Sequence, residues 1–156
     1  MKKIIYSILI LAIVMISCSK DNSEEATNYT LWIGPKIEFI KQIDADPNEA
    51  INQDKITSSV SITRGNSGGQ IYNVVLENES TKNTSPRGTE WAIGEISNLS
   101  NLTFSSFRSA VGSPKDVVGK RLVLHILEED VYLFVEFKSW GEGQKGSFSY
   151  ERSTEN

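Results

Sequence analysis

Residues 121–140 decide the fold, and they read RLVLHILEEDVYLFVEFKSW. Apolar and other side chains alternate along residues 131–140, and one face carries Val131, Leu133, Val135 and Phe137. A period of two is typical of a β-strand that buries one of its faces. Residues 121–127 form a second, largely apolar run, and the acidic triplet 128–130 joins the two runs. The stretch therefore predicts two paired strands.

Short strands are predicted along the rest of the chain. They fall at residues 37–41, 60–64, 70–77, 90–94 and 147–151, between loops rich in Gly, Pro, Asn and Ser. One short helix is predicted at residues 105–111, where Gly112 stops it. Seven or eight such strands predict an all-β fold, an antiparallel β-sandwich that is jelly-roll-like or immunoglobulin-like, with a partly open barrel as the alternative.

Length and composition limit the classes of function. The chain has 156 residues, which suits one domain, and it carries 16 Lys+Arg against 20 Asp+Glu. A net charge of −4 argues against a nucleic-acid partner, because phosphate binding needs a basic stripe. A single Cys and a single His exclude an intrachain disulfide and any metal site built from several cysteines or histidines.

The amino terminus has the pattern of an export signal. Lys2 and Lys3 precede the apolar run 4–16, whose 13 residues would rise only about 20 Å as a helix, too short to cross a bilayer. We therefore predict a signal peptide at residues 1–17. The run ends in Met15-Ile16-Ser17-Cys18, which resembles the bacterial lipobox and predicts lipidation of Cys18.

A lipid on Cys18 would make the membrane a partner of the mature protein. Residues 18–30 are polar and predict a flexible tether, and residues 31–156 then form a single β-sandwich domain. Removing residues 1–17 removes two lysines and no acid, which leaves 14 basic and 20 acidic side chains, a net of −6. Attachment is thus expected through the lipid alone. Lys20 followed by Asp21, Glu24 and Glu25 is similar to the surface-export signal of Bacteroidetes lipoproteins, which implies an outer-membrane location facing the cell surface.

The loop Arg64-Gly65-Asn66-Ser67-Gly68-Gly69 resembles the nucleophile loop of chymotrypsin-fold serine proteases. In that fold the general base precedes the serine, whereas the only histidine here, His125, follows it. We therefore interpret the loop as a hairpin connection in which Gly and Asn adopt positive φ, and we expect no enzymatic activity. A hydrolase built on Ser67 and His125 is the least favoured hypothesis.

A calcium loop is a further possibility to test. Asp44, Asp46 and Asn48 occupy alternate positions, with Asp54 nearby, and oxygen donors are what Ca²⁺ prefers. The glycine and the glutamate that an EF-hand loop requires are missing, so a turn built on the Asp-Pro pair is the simpler interpretation. No other cofactor is indicated.

Aromatic side chains suggest a carbohydrate-binding surface. Exposed rings stack on sugars, and the candidates for ligand binding are Trp140, Tyr132 and Trp91, with Phe134 also expected to be exposed. The alternative is that these rings fill the core of the sandwich.

Several motifs in one order resemble a widespread but uncharacterised family of exported bacterial β domains, found in surface proteins of the Bacteroidetes. They are residues 52–57, 63–73, 85–92, 139–140 and 146–154. The resemblance covers residues 37–154 and implies a secreted all-β module without enzymatic activity. Phe134 departs from the family, where an acidic residue is expected. The leading hypothesis is a lipoprotein with a non-catalytic domain for adhesion, assembly or ligand capture, its partner a glycan or an envelope protein.

Overall fold

The computed structural model describes residues 28–156. The signal peptide predicted at residues 1–17, the lipidation site Cys18 and most of the predicted tether lie outside the described residues. Within residues 28–156, every helix is too short to reach across a bilayer.

Nine strands and one α-helix form the described part of the chain. The strands are β1 (Thr30–Trp32), β2 (Lys36–Lys41), β3 (Asp54–Lys55), β4 (Ser61–Arg64), β5 (Ile71–Asn73), β6 (Thr89–Ile93), β7 (Arg121–Ile126), β8 (Val131–Trp140) and β9 (Phe148–Ser153). The helix α1 spans Phe107–Val111, and short 3₁₀ turns lie at Ala50–Asn52, Ile96–Asn101 and Pro114–Asp116.

The strands form two sheets. The larger sheet has the order β2-β9-β8-β7-β6, all neighbours antiparallel, and β1 pairs in parallel with the first residues of β8. The smaller sheet has the order β3-β4-β5, also antiparallel. The prediction of an all-β, sandwich-like fold is confirmed.

The hairpin predicted from residues 121–140 is confirmed as β7 and β8. Its register runs from Arg121 opposite Glu136 to Ile126 opposite Val131. The four residues between the strands form the turn, and Asp130 there has φ 49°, a left-handed conformation that Asp tolerates better than most residues.

The core lies between the sheets and is built from the alternating faces. It includes Ile62 and Ile71 of the small sheet and Leu124, Leu133 and Phe137 of the large one, all with no exposed surface. Each such side chain contributes about 1.5–3 kcal/mol on burial. The helix α1 closes one side of this core with Phe107 and Val111, and it ends at Gly112 as predicted, at φ 79°.

One predicted strand is shorter than expected. The apolar run 70–77 predicted a single strand, but β5 ends at Asn73. The Nδ2 of Asn73 donates to the carbonyl oxygens of Ser59 (2.8 Å) and Arg87 (3.0 Å), and its Oδ1 accepts from the backbone N–H of Val75. These side-chain bonds turn the chain away from the sheet, so the apolar pattern beyond Asn73 does not continue the strand.

Candidate functional site

Asp54, one of the candidate calcium ligands, belongs to a buried ionic cluster. Its Oδ2 accepts from Arg152 Nε (2.7 Å) and from the Tyr150 hydroxyl (2.6 Å), and its Oδ1 accepts from Arg152 Nη2 (2.9 Å). This cluster joins β3 to β9 and so ties the two sheets together. Burial and the charge of Asp54 raise the pKa of Tyr150 well above its ordinary value, so the phenol stays protonated and keeps donating.

The four oxygen donors proposed for calcium are therefore not brought together. Asp46 Oδ1 accepts from both the backbone N–H and the Nδ2 of Asn48, each at 2.9 Å, which is an Asx turn. Asp44 lies in the same loop, while both oxygens of Asp54 are engaged by Arg152 and Tyr150. Within residues 28–156 no group of three or more His, Cys, Asp or Glu side chains has the arrangement of a metal site.

The loop containing Ser67 is a hairpin connection between β4 and β5, as predicted. Arg64 pairs with Ile71 across it, and Gly69 takes φ 87°. A side chain at Gly69 would also collide with the Ser80 hydroxyl, so glycine is required there for space as well as for conformation.

The structure does not bring Ser67 and His125 together. His125 alternates with core residues along β7 and so points to the outer face of the large sheet, while Ser67 lies in a loop of the small sheet. The ring of His125 stacks on Tyr132 at 4.0 Å, and its Nε2 hydrogen-bonds Asp130 Oδ1 at 2.8 Å. Among the described residues no hydrogen bond links the serine to the histidine.

Most of the candidate aromatic rings are not free to stack on a ligand. Trp91 is only 1% exposed and its Nε1 donates to Thr89 Oγ1 (2.9 Å), so its ring belongs to the core. Phe134, expected to be exposed, is 6% exposed because Lys36 covers its ring at 4.0 Å. Tyr132 is half-buried between three aromatic rings: those of His125, Tyr29 and Phe104.

Trp140 is half-buried and lies at the wall of a cleft. The Arg64 guanidinium covers its ring, with Cζ 4.0 Å from the ring centroid, and Phe107 stacks near it at 6.2 Å. A sugar therefore cannot use the face that Arg64 occupies. Such a cation–π contact contributes about 2 kcal/mol when desolvated, so displacing Arg64 would be costly.

We call this cleft the basic cleft, and its volume is about 300 Å³. Its basic side chains are Arg64, Arg108 and Lys115, and Trp140, Gly141 and Glu142 are among the other residues that line it. The loop after β8 closes tightly here because Gly146 packs on Asn66, where any side chain at position 146 would collide. That approach places Trp140 and Gly141 beside the end of β4.

Arg64 is the centre of the basic cleft. Its Nε donates to the Gly69 carbonyl (3.1 Å), and its Nη1 donates to the carbonyls of Gly141 (2.8 Å) and Ser147 (2.9 Å). Within residues 28–156 it has no carboxylate partner, and burial lowers its pKa to about 10. Arg64 is therefore still charged at neutral pH, in a place where its charge is not neutralised.

Lys41 is a second buried cation next to the basic cleft. It is 1% exposed, and its Nζ donates to the Ala45 carbonyl (2.7 Å) and to Asn66 Oδ1 (3.0 Å). Burial and the neighbouring charge of Arg64 lower the pKa of Lys41. Through its hydrogen bond to Asn66, Lys41 holds the loop that contains Ser67, and it adds a second basic side chain close to Arg64.

A second cleft, the polar cleft, adjoins the basic cleft at Gly69 and has a volume of about 540 Å³. Amide and hydroxyl side chains dominate its lining, among them Asn48, Asn66, Ser67, Asn78 and Ser80. Ser67 is exposed in this cleft, so the residue that resembles a protease nucleophile lies in a groove without the predicted base.

Neither cleft was predicted as a site from the sequence. Arg64 was expected in a strand and at the start of a hairpin loop, and Ser67 in that loop or, as the least favoured hypothesis, as a nucleophile with His125; no role was predicted for Arg108 or Lys115. The one available signal is that Arg64 is a charged residue at the end of a strand whose other residues suit burial. No protein-family model, curated protein or solved structure matches the chain.

Proposed function

We propose that the chain is a lipid-anchored lipoprotein of the bacterial outer membrane whose β-sandwich domain captures a ligand in the basic cleft without changing it chemically. The observation that carries the proposal is the position of this cleft relative to the start of the domain. β1 begins at Thr30, where the tether ends, and Thr30 pairs with Val131. Trp140, at the wall of the cleft, is the other end of the same strand.

The length of β8 separates the anchor from the cleft. β8 has ten residues, which at about 3.3 Å per residue span about 30 Å. A lipid on Cys18 would keep the Val131 end of the domain within the reach of the flexible tether, about 20 Å from the membrane, so the basic cleft at the other end of β8 would lie farther out on average. This is the arrangement that a surface protein needs in order to reach a ligand in the medium or on a neighbouring molecule.

The non-catalytic part of the proposal rests on the contacts of the candidate catalytic residues. Ser67 lies in a loop of the small sheet and His125 lies on the large sheet, where Asp130 and Tyr132 contact the imidazole. A general base must reach its nucleophile within about 2.6–3.2 Å, directly or through one water. The motifs that resemble exported bacterial β domains support the same location and the same absence of chemistry.

The anchor and the orientation can be tested together in cells. Metabolic labelling with an alkyne fatty acid should mark the wild-type chain and leave Cys18→Ala unmarked. Because Cys18 is the only cysteine, a second cysteine would be the single free thiol of the lipidated protein. We expect Glu142→Cys, at the rim of the cleft, to react with a membrane-impermeant maleimide on intact cells at least several-fold faster than Glu128→Cys, near the tether.

Two results would contradict the proposal. A wild-type chain that takes up no fatty acid would remove the anchor. Equal labelling of Glu142→Cys and Glu128→Cys, in a protein shown to be lipidated, would remove the orientation. Both side chains are exposed, so neither variant should disturb folding.

A further inference from the structure

We propose that the ligand is an acidic oligosaccharide, with a carboxylate or sulfate group held in the basic cleft and neighbouring hydroxyl groups held in the polar cleft. This inference rests on the proposed function and specifies the chemistry of its ligand. It differs from recognition through stacked aromatic rings, because here Trp140 supports a cation and does not itself receive the sugar.

The basic cleft is lined mainly by positive side chains, whereas the protein as a whole is negative. The whole chain carries a net charge of −4, yet three basic side chains and one acidic one, Glu142, line this cleft. Within residues 28–156, no carboxylate lies within 4 Å of Arg64, Arg108 or Lys115, unlike Arg152 and Arg121. Several other basic side chains in this range are also unpaired, but these three line one cleft. Opposite charge from outside the chain would neutralise them, and a concave site concentrates their field.

Arg64 is held in place with donor capacity left over. Its Nε and Nη1 are used by three backbone carbonyls, while Nη2 makes no hydrogen bond to any described residue. No buried side-chain nitrogen or oxygen in this part of the chain lacks a partner, so Nη2 must reach solvent, and the cleft is where Arg64 meets it. The carbonyls and Trp140 fix this side chain in advance, which reduces the entropy lost when an oxyanion binds.

Arg108 adds a second guanidinium to the basic cleft, and it too is oriented by a hydrogen bond within the chain. Its Nε donates to Gln70 Oε1 (3.0 Å), and Gln70 in turn donates to the Ser85 carbonyl (2.5 Å). The helix α1 and this glutamine therefore orient Arg108, whose terminal nitrogens remain for a ligand. Guanidinium groups match the planar or tetrahedral oxygens of carboxylate and sulfate better than an ammonium does.

The polar cleft indicates a sugar rather than a lone oxyanion. Ser67, Asn78 and Ser80 make no side-chain hydrogen bond within the described residues, and each can donate to and accept from a sugar hydroxyl group. Asn66 is already bonded to Lys41 and Ala45, and one acidic residue, Glu79, also lines this cleft. The two clefts meet at Gly69, so a ligand in both must place an anionic group next to hydroxyl-bearing units. An acidic oligosaccharide meets that requirement, whereas free sulfate would fill only the basic cleft.

Isothermal titration calorimetry of the processed, lipidated chain in detergent tests this inference. The probes are trigalacturonate, its fully methyl-esterified form, a chondroitin sulfate tetrasaccharide and inorganic sulfate. We expect at least one of the two acidic oligosaccharides to bind. If trigalacturonate binds, its methyl ester should bind at least ten-fold more weakly. Raising the salt concentration should weaken the interaction, because screening acts on exposed charges.

Charge variants locate the binding. Lys115→Glu and Arg108→Gln should each weaken the acidic oligosaccharide at least ten-fold, whereas Lys55→Glu should leave its affinity unchanged. Lys55 and Lys115 are both exposed, and Lys55 lies opposite Ser61, at the other end of β4 from Arg64. Thermal unfolding of Lys115→Glu and Lys55→Glu should match the wild type, which separates a loss of binding from a loss of folding. Arg108→Gln also removes the donor to Gln70 Oε1, so its affinity is compared at a temperature where the variant is folded.

Each remaining outcome overturns the inference in a distinct way. If the methyl ester binds as tightly as trigalacturonate and Lys115→Glu does not change its affinity, the ligand is not anionic, although the domain still captures a ligand. Inorganic sulfate that binds as tightly as the oligosaccharides would reject the sugar. No binding by any probe would reject the ligand class, whereas fatty-acid and maleimide labelling would still report on the anchor and the orientation.

Discussion

Two buried arginines lie in this domain, and their surroundings are opposite. Arg152 is 5% exposed and meets Asp54 through two of its nitrogens, at 2.7 and 2.9 Å. Arg64 is 3% exposed and meets only carbonyl oxygens and the ring of Trp140. The first arginine joins the two sheets, and the second lines a cleft that opens to solvent.

The pKa shifts of the two arginines have opposite signs for that reason. Burial alone lowers the pKa of each guanidinium. At Arg152 the hydrogen bonds and the charge of Asp54 outweigh burial and raise its pKa, whereas at Arg64 nothing opposes burial and its pKa falls to about 10. The charge of Arg152 is therefore neutralised within the chain, whereas Arg64 keeps a charge that no carboxylate among the described residues neutralises.

Breaking the ion pair between Asp54 and Arg152 should reduce stability most. Asp54→Asn should lower the free energy of unfolding by about 3–5 kcal/mol, because it leaves the charge of Arg152 buried without a counter-ion. Urea unfolding followed by tryptophan fluorescence measures this. Glu95→Gln is the matched control: it breaks the exposed pair with Arg121 (2.6 Å) and should cost less than about 1 kcal/mol. If Asp54→Asn also lowered the free energy of unfolding by less than about 1 kcal/mol, the pair of Asp54 and Arg152 would have no structural role.

Removing Arg64, which has no carboxylate partner in the described residues, should lower the free energy of unfolding by less than Asp54→Asn does. Arg64→Met keeps an apolar contact with Trp140 but takes donors from three carbonyls, and we expect a loss of about 2 kcal/mol by the same urea measurement. Water in the cleft can reach these carbonyls, which limits the penalty. Arg87→Met removes an exposed arginine whose side chain makes no hydrogen bond in the described residues, and it should be nearly neutral. A larger loss for Arg64→Met than for Asp54→Asn would reverse our interpretation of the two arginines.

The smallest effect concerns a carboxylate that likewise lacks a charged partner. Glu129 accepts hydrogen bonds from the Ser59 hydroxyl (2.5 Å), the Ser59 backbone N–H (3.2 Å) and the Ser58 hydroxyl (3.2 Å). Burial opposes ionisation, but these bonds outweigh it and lower the pKa of Glu129. Glu129→Gln should therefore lower the free energy of unfolding at pH 7 by about 1 kcal/mol.

The pH dependence fixes the sign of that effect. A folded-state pKa below the unfolded one, near 4.5, stabilises the protein above that pH, and the contribution is lost as pH falls through the lowered pKa. The difference between wild type and Glu129→Gln, measured by thermal unfolding, should be constant from pH 7 to pH 5.5 and shrink below pH 4.5. Glu128→Gln, which changes the exposed neighbour, should alter the free energy of unfolding at pH 7 by less than about 0.5 kcal/mol. A difference that grows in acid would contradict the assignment.

Much of the secondary structure could be predicted because it depends on local pattern. The alternation in residues 131–140 predicted β8, and Gly112 predicted the end of α1. The sequence analysis did not assign β1 or β3, which have three and two residues. Strands that short carry no periodicity, and they form only because longer strands supply their hydrogen-bond partners.

The candidate site could be predicted only in fragments. Trp140 was selected for its ring, but in the structure that ring supports Arg64. Trp91 was selected for the same reason and proved to be core, since composition does not say which face of a strand is covered. Arg64 reaches Gly141 across 77 positions of the chain, a separation that no local motif encodes.

Local sequence patterns were enough to predict the all-β class, the β7–β8 hairpin and the glycine-rich connection between β4 and β5. Side-chain alternation and backbone conformation are properties of neighbouring residues, so a local pattern is enough to specify them. Which charges are neutralised depends on tertiary contacts, and only the folded structure shows this. It placed Asp54 against Arg152, 98 positions away, and left Arg64 beside carbonyls and a ring. Whether a buried charge is paired depends on which distant segments fold against it, and here that difference separates the structural arginine from the one that lines the cleft.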